Sequence, residues 1–235
     1  MASLAAQSYK DYEWVVIDGA STDTTLRIVE SFDAAPLLLI SEPDEGIYNA
    51  MNKGIAKARG DYLFFLNSDD SLYDSNVLAD VAKHLEEALE CIDLLYGNVI
   101  YAWPDRRVLR TFAHIDADTL LFEDLCHQAV FAKKDLFERI GGFNERFSIN
   151  ADYDWLIRAF CSSALRCRIS RVIAVFNVGG AHTRNRFKLA EERREVRLQY
   201  ISPAALAFGG LCRKLIHRWH RHFRTHPLGW KPISD

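Results

Sequence analysis

The stretch DYLFFLNSDD, residues 61–70, decides the fold class of this chain of 235 residues. Its apolar run from Tyr62 to Leu66 is typical of a strand that is buried on both faces, as in a parallel sheet covered by helices. The run ends at two adjacent carboxylates, Asp69 and Asp70, and ligands of open α/β sheets bind beyond the carboxyl ends of the strands. The two acids indicate either a site for a hard cation such as Mg²⁺ or Mn²⁺ or a cap for the helix that follows.

The first 90 residues alternate between strand and helix patterns three times. The predicted elements are, in chain order, a strand at 13–18, a helix at 22–32, a strand at 37–41, a helix at 47–59, a strand at 62–66 and a helix at 76–90. Such alternation is the pattern of βαβ units. We therefore predict an α/β fold with a mostly parallel central sheet flanked by helices.

Beyond residue 90 the pattern changes to longer strands and a hairpin. The predicted elements are strands at 94–101 and 108–112 that pair around Pro104 and Asp105, a strand at 129–132, a helix that ends at Gly141, a helix at 152–160, a strand at 168–178, and helices at 188–200 and 206–223. The last two helices form a C-terminal helical extension of the predicted domain.

The composition is that of a soluble globular protein with a core, since 49% of the residues are hydrophobic and 26% are charged. The five cysteines form no Cys-x-x-Cys pair, which argues against a disulfide framework or a zinc site and for a reducing compartment. No stretch approaches about 20 apolar residues, so we expect no transmembrane helix. The first residues also lack the features of a signal peptide.

Charge is distributed unevenly along the chain. Residues 1–183 carry 17 Lys and Arg against 28 Asp and Glu, whereas residues 184–235 carry 12 against 4. We therefore divide the chain into a domain at 1–183 and a basic tail at 184–235. Apolar residues recur at near four-residue spacing from Leu211 to Phe223, which predicts an amphipathic helix at an anionic membrane surface or docked on the acidic domain. No nucleic-acid-reading motif accompanies the charge, so a nucleic-acid partner is not expected.

A second candidate binding segment is VVIDGASTDTT, residues 15–25, which follows the pattern of a strand, a turn and a helix. It places Asp18 at the carboxyl end of the strand, followed by small residues. The backbone amides of the turn can meet an anion, and Asp18 can accept hydrogen bonds from a base or a ribose. An Asp-Gly turn with a helix cap explains the same residues without any ligand.

Three segments, in this order and spacing, resemble the family 2 glycosyltransferases with a GT-A fold. They are VVIDGASTDTT (15–25), EPDEGIYNAMNKGIAKARGDYLFFLNSDD (42–70) and HQAVFAKKDLFERIGGFNERFSINADYDWLIR (127–158). The resemblance covers about residues 3–182 and implies a GT-A, Rossmann-like domain. It implies transfer of a sugar from a nucleoside diphosphate, UDP first, to a hydroxyl of a saccharide or lipid-linked acceptor in cell-surface polysaccharide or glycolipid synthesis.

The resemblance implies specific roles on the donor side. Asp18 would hydrogen-bond the uracil, Ser21 would lie in the same nucleotide-binding turn, and Asp44 would help to close the base pocket. The segment NSDD, residues 67–70, occupies the place of the DxD metal motif, with asparagine in place of the first aspartate. Asp69 is then the first predicted ligand of Mg²⁺ or Mn²⁺ beside the donor phosphates, and Asp70 is the second.

On the acceptor side, NADYDW at 150–155 matches the place of the acidic ED motif. Asp152 would be the general base that takes the proton of the acceptor hydroxyl. One base without an opposing nucleophile implies a single displacement with inversion at the anomeric carbon. The alternative role for Asp152 is that of a helix cap. The resemblance places His127 and Gln128 in the acceptor pocket, although a lone histidine is more often a core residue.

The family normally begins with a strand, a loop and a helix that precede the position of Ser3. The sequence therefore predicts a domain that is truncated at its N-terminus, with an unpaired strand and partly uncovered apolar faces. Two other functions stay open: an inactive glycosyltransferase-like module for binding or membrane scaffolding, and a sugar nucleotidyltransferase. The second is weakened because no Gly-rich phosphate loop with a Lys or Arg is present. We expect a cytoplasmic protein that is peripheral at the inner leaflet of the cytoplasmic membrane.

Overall fold

A computed structural model describes residues 1–32, 37–113, 115–179 and 185–209, and the backbone of residues 230–232. The helices are α1 (Ala2–Ala5), α2 (Thr25–Glu30), α3 (Ile47–Lys57), α4 (Val77–Glu86), α5 (Ala117–Leu120), α6 (Lys134–Ile140), α7 (Ala151–Cys161) and α8 (Arg186–Leu198). The strands are β1 (Trp14–Asp18), β2 (Leu37–Ser41), β3 (Tyr62–Phe64), β4 (Ser71–Leu72), β5 (Leu94–Trp103), β6 (Arg106–Arg110), β7 (Val130–Lys133), β8 (Arg166–Asn177) and β9 (Trp230–Pro232). A 3₁₀ turn at His127–Ala129 precedes β7.

The strands form two separate sheets. β1 and β2 pair in parallel, with Trp14 opposite Leu37 and Asp18 opposite Ser41. The larger sheet has seven strands in the order β3-β7-β5-β6-β9, and β8 joins it by pairing with β5 and β4. Helices flank these sheets, so the predicted mixed α/β architecture is confirmed.

Strand direction differs from the predicted mostly parallel sheet. Only β1–β2 and β5–β8 are parallel among the described pairs, and the others are antiparallel. The physical reason lies in the connections. A short turn at Pro104 and Asp105 joins β5 to β6, and so tight a turn can join only antiparallel strands. β7 then runs antiparallel to both of its neighbours, β3 and β5.

The core is centred on β5, which pairs with β6, β7 and β8. Leu94, Leu95 and Val99 on this strand are fully buried. Gly97 is required by the close approach of β8, because a Cβ atom there would lie 2.5 Å from the Arg171 carbonyl oxygen. The strand register shifts at this point, so β5 bends where it passes β8.

Helix α7 is anchored in the same core. Its central residues from Tyr153 to Ile157 are buried, and Trp155 stacks on Phe137 of α6 with a ring separation of 4.3 Å. Asp154 pairs with Arg158 one turn further on, at 3.0 Å. A helix held in this way presents the residues of its first turn from a rigid support.

A cleft of about 940 Å³ lies between the two sheets. Its lining is mainly apolar and includes Val15 and Ile17 of β1, Leu63 of β3, Met51 of α3 and Val81 of α4. β1 has β2 as its one ladder partner in the described part of the chain, and its residues 14–17 are only half-buried. These features are the unpaired strand and uncovered apolar faces that the sequence predicted.

The C-terminal region is described only in part. Helix α8 packs on the domain, since Val196 is fully buried in the core. Residues 203–209 are helical, whereas most of the predicted amphipathic helix at 206–223 lies outside the described residues. Within the part of the chain that the structure describes, no helix has the length and apolar character needed to cross a membrane.

Candidate active site

The turn after β1 brings Asp18, Ser21 and Asp44 into one cluster. Asp18 Oδ2 accepts hydrogen bonds from the Ser21 backbone N–H at 2.9 Å and from the Ser41 hydroxyl at 2.7 Å. Hydrogen bonds from the Ser21 and Ser41 side chains hold the pKa of Asp18 below its usual value, so Asp18 is ionised at neutral pH. Asp18 does not cap α2, which begins at Thr25 with Thr24 at its N-cap, but Asp23 of the same segment accepts a hydrogen bond from the Thr25 N–H at 2.9 Å, so the alternative of an Asp-Gly turn with a helix cap stays open.

Two backbone features fix this turn. Ala20 has a φ of 60°, a left-handed conformation that is uncommon for alanine and is often found at functional sites. Gly19 leaves room for Asp44, because a Cβ atom at position 19 would lie only 2.7 Å from Asp44 Oδ2. Asp44 itself accepts a hydrogen bond from the Gly46 N–H at 2.9 Å. The cluster therefore presents two carboxylates at the carboxyl end of β1.

Asp69 and Asp70 follow β3 and differ in their surroundings. Asp69 is exposed and lines the cleft. Asp70 is buried, and its carboxylate accepts hydrogen bonds from Gln128 Nε2 at 2.7 Å and from the Asn177 N–H at 2.8 Å. Burial, with the charge of Asp69 nearby, raises the pKa of Asp70 to about 6. The cap alternative is wrong here, because α4 begins at Val77.

The site fits a divalent cation that is held by one carboxylate together with substrate phosphates and water. Among the described residues, no group of three His, Cys, Asp or Glu side chains is arranged to hold a metal ion. Mg²⁺ is commonly held by one or two carboxylates together with substrate phosphates and water. Asp69 is placed for that mode, whereas Asp70 already uses its oxygens on protein donors. Asp70 as a second metal ligand stays a prediction.

Asp152 lies in the first turn of α7, and donors surround its carboxylate. Oδ1 accepts hydrogen bonds from the Tyr48 hydroxyl and from the Tyr153 N–H, both at 2.9 Å. Oδ2 lies 2.7 Å from His127 Nδ1. The cap of α7 is Asn150 rather than Asp152, so the capping alternative is wrong. The Asp152 side chain is 13% exposed, which leaves a carboxylate that is largely shielded from water.

The turn at residues 127–129 connects the two acidic sites. His127 contacts Asp152, and the next residue, Gln128, donates to Asp70. The Cys126 thiol lies 2.8 Å from Gln128 Oε1 and donates to it, which directs the Gln128 amide nitrogen toward Asp70. Gln128 is fully buried, so its amide contacts Asp70 from the interior of the protein.

The loop at 141–150 carries the chain into α7 and is held by the polar face of α3. The Asn52 side chain bonds the backbone of Phe143 through both its oxygen and its nitrogen, each at 2.9 Å. Asn49 and Asn52 both donate to the carboxylate of Glu145. Together these contacts fix the segment that precedes Asp152.

Glu192 of α8 holds the same loop from the other side, a role that no sequence motif indicated. Its carboxylate accepts hydrogen bonds from the backbone N–H groups of Ser148, Ile149 and Asn150, at 2.9 to 3.1 Å. Burial acts to raise the pKa of Glu192, but these hydrogen bonds outweigh it and lower the pKa. Helix α8, which lies beyond residue 183, therefore takes part in building the site.

We expect Glu192→Gln to lower the free energy of unfolding by about 1–3 kcal/mol at pH 7, because three backbone donors lose a charged acceptor. Since the pKa of Glu192 is lowered on folding from an ordinary value of 4.5, its contribution is present above that pH. It is lost as the pH falls through the lowered pKa. Urea unfolding of both proteins at pH 7 and pH 3.5 should show the difference shrinking at acidic pH, and an equal difference at both would contradict the assignment. Glu191→Gln, at a neighbouring exposed position, is the control.

Comparisons with known proteins agree on one family. The family profile described as "Glycosyl transferase family 2" matches residues 1–141. A "PGL/p-HBAD biosynthesis glycosyltransferase" of Mycobacterium bovis (strain BCG / Pasteur 1173P2) is 42% identical over 177 residues, which cover 73% of this chain and 67% of that protein. An uncharacterized glycosyltransferase of Mycobacterium tuberculosis (strain CDC 1551 / Oshkosh) is 32% identical over 171 residues, which cover 67% of this chain and 61% of that protein.

Solved structures show the same fold. The crystal structure of S. aureus TarS 1-349 in complex with UDP-GlcNAc matches 77% of this chain with a TM-score of 0.64 and 20% identity. The complex of the same protein with UDP matches 76% of this chain with a TM-score of 0.61 and 20% identity. The matched parts cover 54% and 55% of those chains, so this chain spans about half of their length.

Proposed function

This chain belongs to glycosyl transferase family 2, and from that premise we propose that it transfers a sugar from a UDP-linked donor to an acceptor hydroxyl with inversion at the anomeric carbon. The acceptor class that we propose is a saccharide or a lipid-linked molecule of the cell surface. The observation that carries the proposal is the turn at residues 127–129. It contacts Asp70 on the donor side and Asp152 on the acceptor side through neighbouring residues.

The donor side of the proposal rests on two acidic sites, one at the carboxyl end of β1 and one after β3. Asp18 and Asp44 would bind the base and ribose, and Asp69 would hold a divalent cation against the diphosphate. When bound, such a cation neutralises charge on the departing nucleoside diphosphate. Asp69 lines the cleft, as does Ile17, the residue before Asp18. The TarS complexes with UDP and UDP-GlcNAc support a nucleotide-sugar as donor.

On the acceptor side, Asp152 would take the proton from the attacking hydroxyl as the oxygen bonds to the anomeric carbon and the bond to the nucleoside diphosphate breaks. His127 lines the cleft beside Asp69, which supports its predicted place near the acceptor. Gln128 is fully buried and donates to Asp70, so its contribution to acceptor binding would be indirect. A single displacement by one base gives inversion.

Gly19→Ala tests the donor pocket. The added Cβ would lie 2.7 Å from Asp44 Oδ2 and would displace that carboxylate, so we expect UDP affinity to fall by about 3- to 30-fold, or about 0.6–2 kcal/mol. The melting temperature should change little, because the contact is with the end of a movable side chain. Gly60→Ala, where the nearest atom lies at 3.6 Å, is the matched control. Unchanged UDP affinity in Gly19→Ala would exclude Asp44 from the pocket.

A peripheral location at the cytoplasmic face of the membrane is part of the proposal. Residues 184–235 carry 12 Lys and Arg against 4 Asp and Glu, which favours an anionic surface as the partner of this tail. Phe187 and Phe208 are 92% and 69% exposed at the described edge of the same region. Aromatic side chains next to basic ones are typical of interfacial segments.

The activity is tested by incubating the protein with UDP-sugars, UDP-GlcNAc first, and measuring UDP release with and without saccharide and glycolipid acceptors. Release that depends on an acceptor supports the proposal. UDP binding without release under any acceptor would favour the alternative of a glycosyltransferase-like binding module. The open cleft beside β1 is the observation that favours this alternative.

A further inference from the structure

We infer that Tyr48 and His127 are positioning residues that hold Asp152 from both sides, and that Tyr48 ties the alignment of this base to the turn that closes the donor pocket. This inference rests on the proposed function, in which Asp152 is the base. It assigns to Tyr48 a role that the sequence did not indicate. For His127 it replaces acceptor binding as the main role.

Tyr48 is placed to donate and not to ionise. The single proton of its hydroxyl is shared between two acceptors, Asp152 Oδ1 at 2.9 Å and the Ile149 carbonyl oxygen at 2.7 Å. Burial, followed by the nearby charge of Asp152, raises the pKa of Tyr48 well above its usual value. The side chain is almost fully buried, with tilted packing of its ring against Phe143 at 5.7 Å. A rigid phenol of this kind limits where the carboxylate can point.

His127 contacts the other carboxylate oxygen of Asp152, and together Tyr48 and His127 form a clamp on this side chain. Nδ1 lies 2.7 Å from Asp152 Oδ2, whereas Nε2 is buried and has no hydrogen-bond partner within the described ranges. A neutral imidazole with its proton on Nδ1 satisfies both observations, because it donates to Asp152 and leaves no buried N–H unpaired. Other ionisable groups near this cluster, among the described residues, are Asp70, whose charge interacts with His127, Cys126 beside His127 and, on α8, Glu192 and Arg193.

Tyr48 also links the base to the donor pocket. It lies in the first turn of α3, which begins directly after the turn at 43–46. In that turn Asp44 binds the Gly46 N–H, and Gly46 has a φ of 122°, which favours glycine. A donor that orders Asp44 would therefore fix the start of α3 and, through Tyr48, the carboxylate of Asp152.

The test is Tyr48→Phe, which keeps the ring and removes the hydroxyl. We expect kcat to fall by about 10- to 100-fold, with the KM for the donor changed by less than about 3-fold. The acidic limb of the pH–rate profile should move to higher pH, because the carboxylate loses a donor. Tyr62→Phe is the matched control, since its hydroxyl also donates to a backbone carbonyl, that of Ile92, but lies on β3. It should leave all three quantities unchanged.

His127 gives a second, independent test. Asparagine can place an N–H donor where Nδ1 stands, whereas leucine cannot, so His127→Asn should keep at least about ten times more activity than His127→Leu. Equal losses in the two variants would overturn the role of His127. A structural role alone would lower stability without restoring the rate in the asparagine variant.

A measurement without turnover separates this inference from the proposed activity. Carbon-13 NMR of the aspartate carboxyls, with the Asp152 signal identified by its loss in Asp152→Asn, gives the titration midpoint of Asp152 directly. We expect that midpoint to rise in Tyr48→Phe, because the charged carboxylate loses a hydrogen-bond donor. An unchanged midpoint and pH profile would overturn the clamp even if transfer were lost in Asp152→Asn. Full activity in Asp152→Asn would overturn the proposed base and this inference together.

Discussion

Asp152→Asn is expected to lower the rate of sugar transfer by roughly 10²- to 10⁴-fold, because asparagine cannot accept the proton of the acceptor hydroxyl. The substitution keeps the size of the side chain and can still accept the Tyr48 and Tyr153 hydrogen bonds. UDP affinity should therefore stay within about 3-fold of the wild type, a change of less than 1 kcal/mol. Rates are measured as acceptor-dependent UDP release and affinities by calorimetric titration.

The control for this experiment is Asp105→Asn, in the exposed turn between β5 and β6, where the same chemical change should leave the rate unaltered. A wild-type rate in Asp152→Asn would refute the assignment of the base. A loss of both rate and UDP binding would instead mean that Asp152 supports the fold of the donor pocket.

Asp69→Ala should weaken UDP binding in the presence of Mn²⁺ by at least about ten-fold, to the level that the wild type shows in EDTA. Asp69 is exposed and lines the cleft, so its removal should not lower the melting temperature. Asp61→Ala, an exposed carboxylate at the opposite end of the same strand, is the control. Equal UDP affinity of the wild type with Mn²⁺ and with EDTA would exclude a metal role for Asp69.

Much of the fold was predictable, because strands and helices follow local patterns. The strand at 37–41 was predicted with its observed ends, and the start of α3 at residue 47 was predicted from apolar spacing. The order and direction of strands were not predictable from such patterns. They depend on contacts between distant segments, as where β7 enters between β3 and β5. Residues 71–72 form a strand only because β8 lies beside them.

The candidate site, like the fold, was predictable from the sequence only in part. The resemblance identified Asp18, Asp44, Asp69 and Asp152, and each carboxylate lies at a strand end, in a turn or at the start of a helix. The surroundings of these acids come from residues that are far apart in sequence. Tyr48 precedes Asp152 by 104 residues, and no local pattern marks the two as neighbours. The same is true of Glu192, because a helix with so many charged residues is expected from its sequence to be exposed to solvent.

The separation of β1 and β2 from the larger sheet has a consequence for nucleotide affinity. These two strands hold Asp18 and Ser41, yet they share a ladder only with each other in the described structure, and a two-stranded unit is marginally stable by itself. The proposed donor pocket therefore lies in a region where we expect local opening to cost less free energy than in the seven-stranded sheet. A nucleotide that binds only the closed form adds about 2.7 kcal/mol to its stability at a concentration of 100 times Kd. The donor would then be a substrate and, at the same time, part of the scaffold that holds its own pocket together.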